Sequence, residues 1–212
     1  MAHGGLDFFR ATPYFDEEMP PNTSLSDFSD YSIKLISALD KQDWSDVDTL
    51  EKELLRAWKE GSHIYICGNG GSAANALHWA NDMLYVIAKA GGAGMRIMAL
   101  PANTSAMTCL ANDLGYDQVF SAQLATFGKK GDVLIALSGS GNSPNIVRAL
   151  KQAGELEMKS FALLGYSGGA CKELADVVIH FAVDDMQIVE DLQLVVCHML
   201  ARALAKKQNH GK

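Results

Sequence analysis

Apolar positions along this chain follow two successive regimes. Phe28, Leu35, Ile36 and Leu39, with Ser32 between them, share one helical face; Val47, Leu50, Leu54, Ala57 and Trp58 share a second, which stops at Gly61. This spacing predicts two N-terminal helices. Beyond Gly61, short apolar runs alternate with loops and helical segments. The runs are HIYIC, RIMAL, VLIALS, SFALLG and VVIHFAV, and the helical segments are 72–90, 104–112, 117–127, 143–153, 170–174 and 186–207. Five buried runs separated by helices predict an α/β fold with a parallel sheet covered on both faces. Residues 1–24 read differently: rich in Pro, Asp and Glu, yet carrying Phe8, Phe9, Tyr14 and Phe15. They are expected to form an arm that packs on something, because a purely disordered segment would not use those aromatics.

Two loops built from Gly, Ser and Asn follow apolar runs. Cys67 to Asn75 reads CGNGGSAAN after HIYI, and Ser138 to Asn145 reads SGSGNSPN after VLIAL. Small residues let backbone approach a ligand closely, hydroxyls and amides offer hydrogen bonds, and the first amides of the following helix face the loop. Ligands of parallel sheets bind at the carboxyl ends of strands, so the two loops are expected to share one pocket. Ser143 suits an N-cap with Pro144 at the first helical position, and Ser138, Ser140 and Ser143 can surround one phosphate. Tight strand-to-helix turns are the bland alternative for either loop alone.

Composition narrows the partners. A chain of 212 residues can bury roughly 70% of its unfolded surface, and a net charge of −7 without a basic stripe argues against nucleic acid or anionic membranes. Cys67, Cys109, Cys171 and Cys197 are far apart and sit in apolar surroundings, as buried free thiols in a reducing cytoplasm would. Neither a leader nor a run of about 18 apolar residues is visible. Met83, Met98, Met107 and Met199 read as core filler, and His63 and His180 as structural.

Other glycine-rich sites fit poorly. Gly68, Gly70 and Ala73 match G-x-G-x-x-A, but a dinucleotide site also wants an acidic residue about 20 positions on, where this chain reads RIMALPANT. A phosphate-binding G-x-x-x-x-G-K-[ST] is absent, and Gly139-Ser140-Gly141 is too compact for a nucleophile elbow.

CGNGGSAANALHWAND, LANDLGYD, GDVLIALSGSGNSPNIVRAL and the segment around VEDLQLVVCHML resemble the SIS (sugar isomerase) family, in particular the sedoheptulose-7-phosphate isomerases that open the heptose pathway of surface polysaccharides. The resemblance runs from about residue 25 to 207. It implies a single SIS domain over 25–212, a three-layer sandwich around a five-stranded, flavodoxin-like parallel sheet with added N-terminal helices. It further implies a homotetramer with active sites between subunits, a phosphate on the serine loop, and zinc in several members. By position, Asn69, Gly70, Gly71, Ser72, Asn112, Asp113, Ser138, Gly139, Ser140, Ser143 and Glu190 match substrate contacts. His78, Asp82, Glu190 and His198 match metal ligands, and Asp82 and His198 match the catalytic base and acid.

The chain departs from the family at two of these places and at one further substrate contact. Asp82 stands where a glutamate is usual, Glu190 where a glutamine is usual, and Gln187 where an aspartate is usual. Aspartate is one methylene shorter, and a misplacement of about 1 Å can cost ~10²-fold when positioning is the catalytic device. His78 and Asp82, four residues apart, share a helical face and can meet at a metal. Glu190 and His198 are eight residues apart, about 12 Å of rise and about 80° of rotation, so both reach one ion only by leaning together. The expected function is aldose–ketose isomerisation of a phosphorylated seven-carbon sugar. A non-catalytic SIS module that binds a phosphosugar or a replication initiator is the alternative from another class, and a phosphosugar lyase or etherase is a third.

Overall fold

The structure, a computed structural model, describes residues 25–89 and 93–209. The expected N-terminal arm lies outside the described residues. Two helices come first, α1 (Leu25–Lys41) and α2 (Ser45–Glu60), and the amide of Gly61 closes the end of α2 by bonding back to Ala57 and Trp58. Strands and helices then alternate: β1 (Ile64–Cys67), α3 (Gly70–Asn81), a π-helical turn (Asp82–Val86) running into α4 (Ile87–Lys89), β2 (Ile97–Ala99), α5 (Thr104–Asp113) and α6 (Ser121–Phe127). β3 (Val133–Ser138), α7 (Pro144–Glu155), β4 (Lys159–Leu164), β5 (Val177–His180) and α8 (Met186–Asn209) complete the chain.

The five strands pair in the order β2-β1-β3-β4-β5, all parallel. This is the flavodoxin-like order, in which the chain reverses its direction of winding between β1 and β3. Strand side chains alternate between two cores, as the period of two requires. Ile64, Ile66, Val133, Ile135, Leu137, Phe161 and Leu163 join the core under α2, α3 and α8. Tyr65, Cys67, Leu134, Ala136, Ala162 and Leu164 join the core under α6 and α7. The central strands β1, β3 and β4 are buried on both faces and need continuous apolar runs, which is why the sequence shows them as such, whereas the edge strands β2 and β5 are only partly covered. Among the described residues no helix is long and apolar enough to cross a membrane.

Several expectations about packing are corrected. On α1, Leu35 and Leu39 pack on the core, but Phe28 and Ile36 are 60% and 56% exposed, because α8 covers only one edge of this helix. Polar bonds hold that edge: Tyr31 donates to Asp191 at 2.5 Å and Lys34 to Asp185 at 2.7 Å. Met83 is buried in the core under α2, α3 and α8 and Met107 packs partly against the opposite core, whereas Met98 and Met199 are 40% and 43% exposed, on the edge strand and the outer face of α8. Cys67, Cys171 and Cys197 are buried free thiols, but Cys109 is exposed on α5. The regular helix expected over 72–90 is interrupted by the π turn at Asp82, an irregularity that leaves no trace in apolar spacing.

Candidate active site

Both small-residue loops end at the carboxyl edge of the sheet, after β1 and β3, on either side of the point where the winding reverses. Between them lies a pocket of about 330 Å³. Asn69, Gly70, Gly71 and Ser72 form one wall, and Ser138, Gly139, Ser140 and Ser143 another. Met186, Gln187 and Glu190 from α8 close the third.

The hydroxyl oxygens of Ser138 and Ser140 in the serine loop are engaged within the loop itself. Gly141 donates its amide to the Ser138 hydroxyl oxygen at 3.0 Å, and Asn142 donates its amide to that of Ser140 at 3.2 Å. Each oxygen thus accepts from the loop while its own proton stays available for a ligand. Ser143 is the N-cap of α7 with Pro144 following, but its side chain makes no capping bond, so its hydroxyl too is left to the pocket. A Cβ on Gly139 would meet the Met186 sulfur at 2.1 Å, so any side chain there would make the Met186 thioether move out of the pocket wall.

The other wall is capped from a distance. Asn69 holds the N-cap position of α3, yet makes no side-chain cap bond. The Glu190 carboxylate takes over, facing the Ser72 amide and lying so close to α3 that a Cβ on Gly71 would meet its oxygen at 2.2 Å. Burial pushes the Glu190 pKa up, and the Ser72 amide pulls against that shift. A carboxylate at a helix N-terminus completes the exposed amides there.

α3 and α8 are locked in register by buried polar bonds. Asn75 donates to the Glu190 carbonyl at 2.9 Å and to the Gln193 side chain at 3.0 Å, and the Trp79 indole donates to the Gln193 carbonyl at 3.1 Å. Contacts advance along both helices together, so the next turn of α3 meets the next turns of α8. There His78 Nε2 stands 2.9 Å from His198 Nε2, and Asp82 Oδ2 lies 3.4 Å from the first and 3.8 Å from the second. The other Asp82 oxygen accepts from Asn81 at 3.1 Å. Cys197 lies behind this group, its thiol pushed up by burial and by the Asp82 charge, and so remains protonated.

A metal suits these residues. Two imidazole nitrogens and a carboxylate oxygen are a common catalytic zinc set, and ligands at 2.0–2.2 Å in a tetrahedron stand about 3.4 Å apart, within the spread observed here. Glu190 does not join them: among the described residues the group of mutually close ligand atoms is His78, Asp82 and His198. Its carboxylate is engaged at the start of α3, two turns up α8 from His198. Asn112 and Asp113 also stand apart from the pocket, exposed on α5, where the Asn112 amide bonds to Asp113 at 2.7 Å. Two residues that sequence reasoning passed over, Asn145 and Tyr116, both bond to Asn69. Asn145 was visible as the last residue of SGSGNSPN, but nothing in a sequence says that it reaches the other loop.

Comparison with known proteins places this architecture. Residues 27–165 match the family model described as SIS domain. A phosphoheptose isomerase of Helicobacter pylori strain P12 is 36% identical over 159 residues, covering 74% of this chain and 81% of that protein. The solved phosphoheptose isomerase of Neisseria gonorrhoeae superposes with a TM-score of 0.78 at 29% identity, over 85% of this chain and 98% of that one. That of Francisella tularensis superposes with a TM-score of 0.80 at 26% identity, over 87% and 100%. With its pocket at the winding reversal and a family match across most of the sheet, the chain belongs to the SIS domain family, among the phosphoheptose isomerases.

Proposed function

We propose that this chain interconverts sedoheptulose 7-phosphate and heptose 7-phosphate, an aldose–ketose isomerisation through a cis-enediol. The observation that carries the reading is the convergence of His78, Asp82 and His198, with His198 two turns along α8 from Glu190 in the wall of the serine-loop pocket. Similarity to proteins named phosphoheptose isomerase supports the seven-carbon substrate. The two centres have separate tasks: hydroxyls and amides of the serine loop hold the phosphate, and the imidazole–carboxylate group works on the carbonyl end.

In the ketose-to-aldose direction Asp82 removes a proton from C1 while His198 gives a proton to the carbonyl oxygen on C2. The C1–H electrons become the C1–C2 double bond of the enediol. His198 then takes the proton from the C1 hydroxyl as Asp82 returns its proton to C2, which leaves an aldehyde at C1. The residues that would hold a zinc ion are His78, Asp82 and His198; with His198 Nε2 as a ligand, the ion would supply Lewis acidity toward the sugar oxygens in place of the proton that the free imidazole gives. Asn69 and the Gly70–Ser72 amides orient the chain of hydroxyls between the two centres.

The reading extends to a cytoplasmic homotetramer with sites completed between subunits. Exposed apolar side chains support assembly: Phe28, Ile33 and Ile36 on α1, and Leu84, Tyr85 and Met199 near the histidine pair. The unpaired cysteines are consistent with a reducing compartment. The deciding experiment incubates the protein and Zn²⁺ with C5 to C8 ketose phosphates in deuterated water, followed by NMR. Exchange at C1 and formation of the aldose are expected with sedoheptulose 7-phosphate; no exchange into any of them overturns the isomerase reading.

A further inference from the structure

Asn69 and Asn145 face each other from the two loops as a closed amide pair. Asn69 Nδ2 donates to Asn145 Oδ1 at 2.8 Å, and Asn145 Nδ2 donates back to Asn69 Oδ1 at 2.8 Å. Such a pair alone can form with both amides reversed. In the orientation the structure shows, the Tyr116 hydroxyl donates to Asn69 Oδ1 at 3.0 Å; a reversed pair would make this phenol the acceptor and turn an Asn69 lone pair toward the pocket.

The inventory of this amide is then closed on one side. A side-chain amide has two donor hydrogens and two acceptor lone pairs. Both lone pairs of Asn69 Oδ1 are taken, by Asn145 and Tyr116, and one hydrogen of Nδ2 is taken by Asn145. One N–H is left, and Asn69 lines the pocket. The usual alternative for an asparagine here, capping its own helix, is not used, since Glu190 faces the α3 amides instead. Asn145 itself is 2% exposed and has no access to a ligand beyond this pair.

We propose that Asn145 and Tyr116 are positioning residues that fix Asn69 as a donor-only group, presenting a single N–H and no acceptor to an oxygen of the bound sugar phosphate. The inference rests on the proposed function for the identity of the ligand, but it concerns binding and not turnover. It also ties the two loops together: the phosphate-binding loop leads into the helix that carries Asn145, so the geometry of one wall sets the presentation of the other.

A double-variant cycle measured by calorimetry with sedoheptulose 7-phosphate tests it. A lost neutral hydrogen bond corresponds to about a fivefold change, so Tyr116→Phe should weaken binding about fivefold and Asn145→Ala about tenfold or more. In the Asn69→Ala background both effects should vanish, because there is no amide left to position. A purely structural role would instead weaken binding equally in both backgrounds, and that result overturns the proposal, as does unchanged affinity in the single variants. Should Asn145→Ala fail to fold, Tyr116→Phe, at a residue 55% exposed, carries the test alone. Wild-type protein that binds but does not isomerise the sugar defeats the proposed function and leaves this cycle readable. Wild-type protein that does not bind it defeats both.

Discussion

His78 Nε2 and His198 Nε2 approach to 2.9 Å from residues 120 positions apart. Two imidazoles can share that distance as a hydrogen bond only when one donates and the other accepts; otherwise their lone pairs need a cation between them. The adjoining Asp82 oxygen makes the second arrangement the better one, since it adds a negative charge to two neutral donors. Zn²⁺ should therefore bind about one ion per chain and raise the melting temperature, a hundredfold excess over Kd corresponding to about 2.7 kcal/mol. Elemental analysis and thermal melts of wild type, His78→Ala and His198→Ala check this; equal metal content in all three proteins would refute it.

Asp82→Asn keeps the size of the side chain and removes its basicity. Turnover should fall by about 10² to 10⁴ in kcat while KM changes little, because Asp82 does not line the serine-loop pocket. Steady-state kinetics with sedoheptulose 7-phosphate separates the two constants. A rise in KM at unchanged kcat would make Asp82 a binding residue and not the base.

Replacing Ser138, Ser140 and Ser143 together by Ala deletes three hydroxyl donors around one dianion. Each charge-assisted bond is worth about 1.5–3 kcal/mol, so affinity for the sugar phosphate should drop by well over tenfold. Calorimetry reads the loss directly, and an unchanged Kd rules out phosphate at this loop.

Glu190 gives a pH signature whose sign can be worked out. Burial raises its pKa above the ordinary value, more than the Ser72 amide lowers it. The folded state then favours the protonated form, so the side chain's contribution to stability is full below the ordinary carboxylate pKa and is lost as pH rises through the folded value. Glu190→Gln should leave the melting temperature unchanged near pH 4 and raise it relative to wild type at pH 7. It should also tighten phosphate binding at pH 7 by removing a negative charge from the pocket wall. Melting temperatures that differ more at pH 4 than at pH 7 would reverse the assignment.

The uncovered face of α1 has a measurable consequence. Phe28, Ile33 and Ile36 exposed together should drive self-association, and a sedimentation mass near four times 22.9 kDa is expected. Ile33→Asp with Ile36→Asp should shift the mass downward without unfolding the sheet, whose core these residues do not enter. A wild-type mass of one chain at micromolar concentration contradicts the homotetramer.

By itself the sequence determined the layers and their order of appearance. Five short apolar runs such as VLIAL, separated by helical segments, read as strands of a parallel sheet, and the Gly-Ser-Asn loops after HIYI and VLIAL then lie at the strand ends where such a sheet takes its ligands. It also placed His78 and Asp82 on one helical face, because four residues is nearly one turn. What only the tertiary structure decided depends on contacts between elements far apart in the chain. Asn75, Trp79 and Gln193 fix how far α3 slides along α8, and that register brings His198 to the His78–Asp82 pair. The same register puts Glu190 at the start of α3, where its carboxylate faces the Ser72 amide and stands apart from the His78–Asp82–His198 group. It also exposes Met199, since one face of α8 is already filled by the core. The bond from Asn145 to Asn69 joins residues 76 positions apart, and local spacing has no period that could announce it.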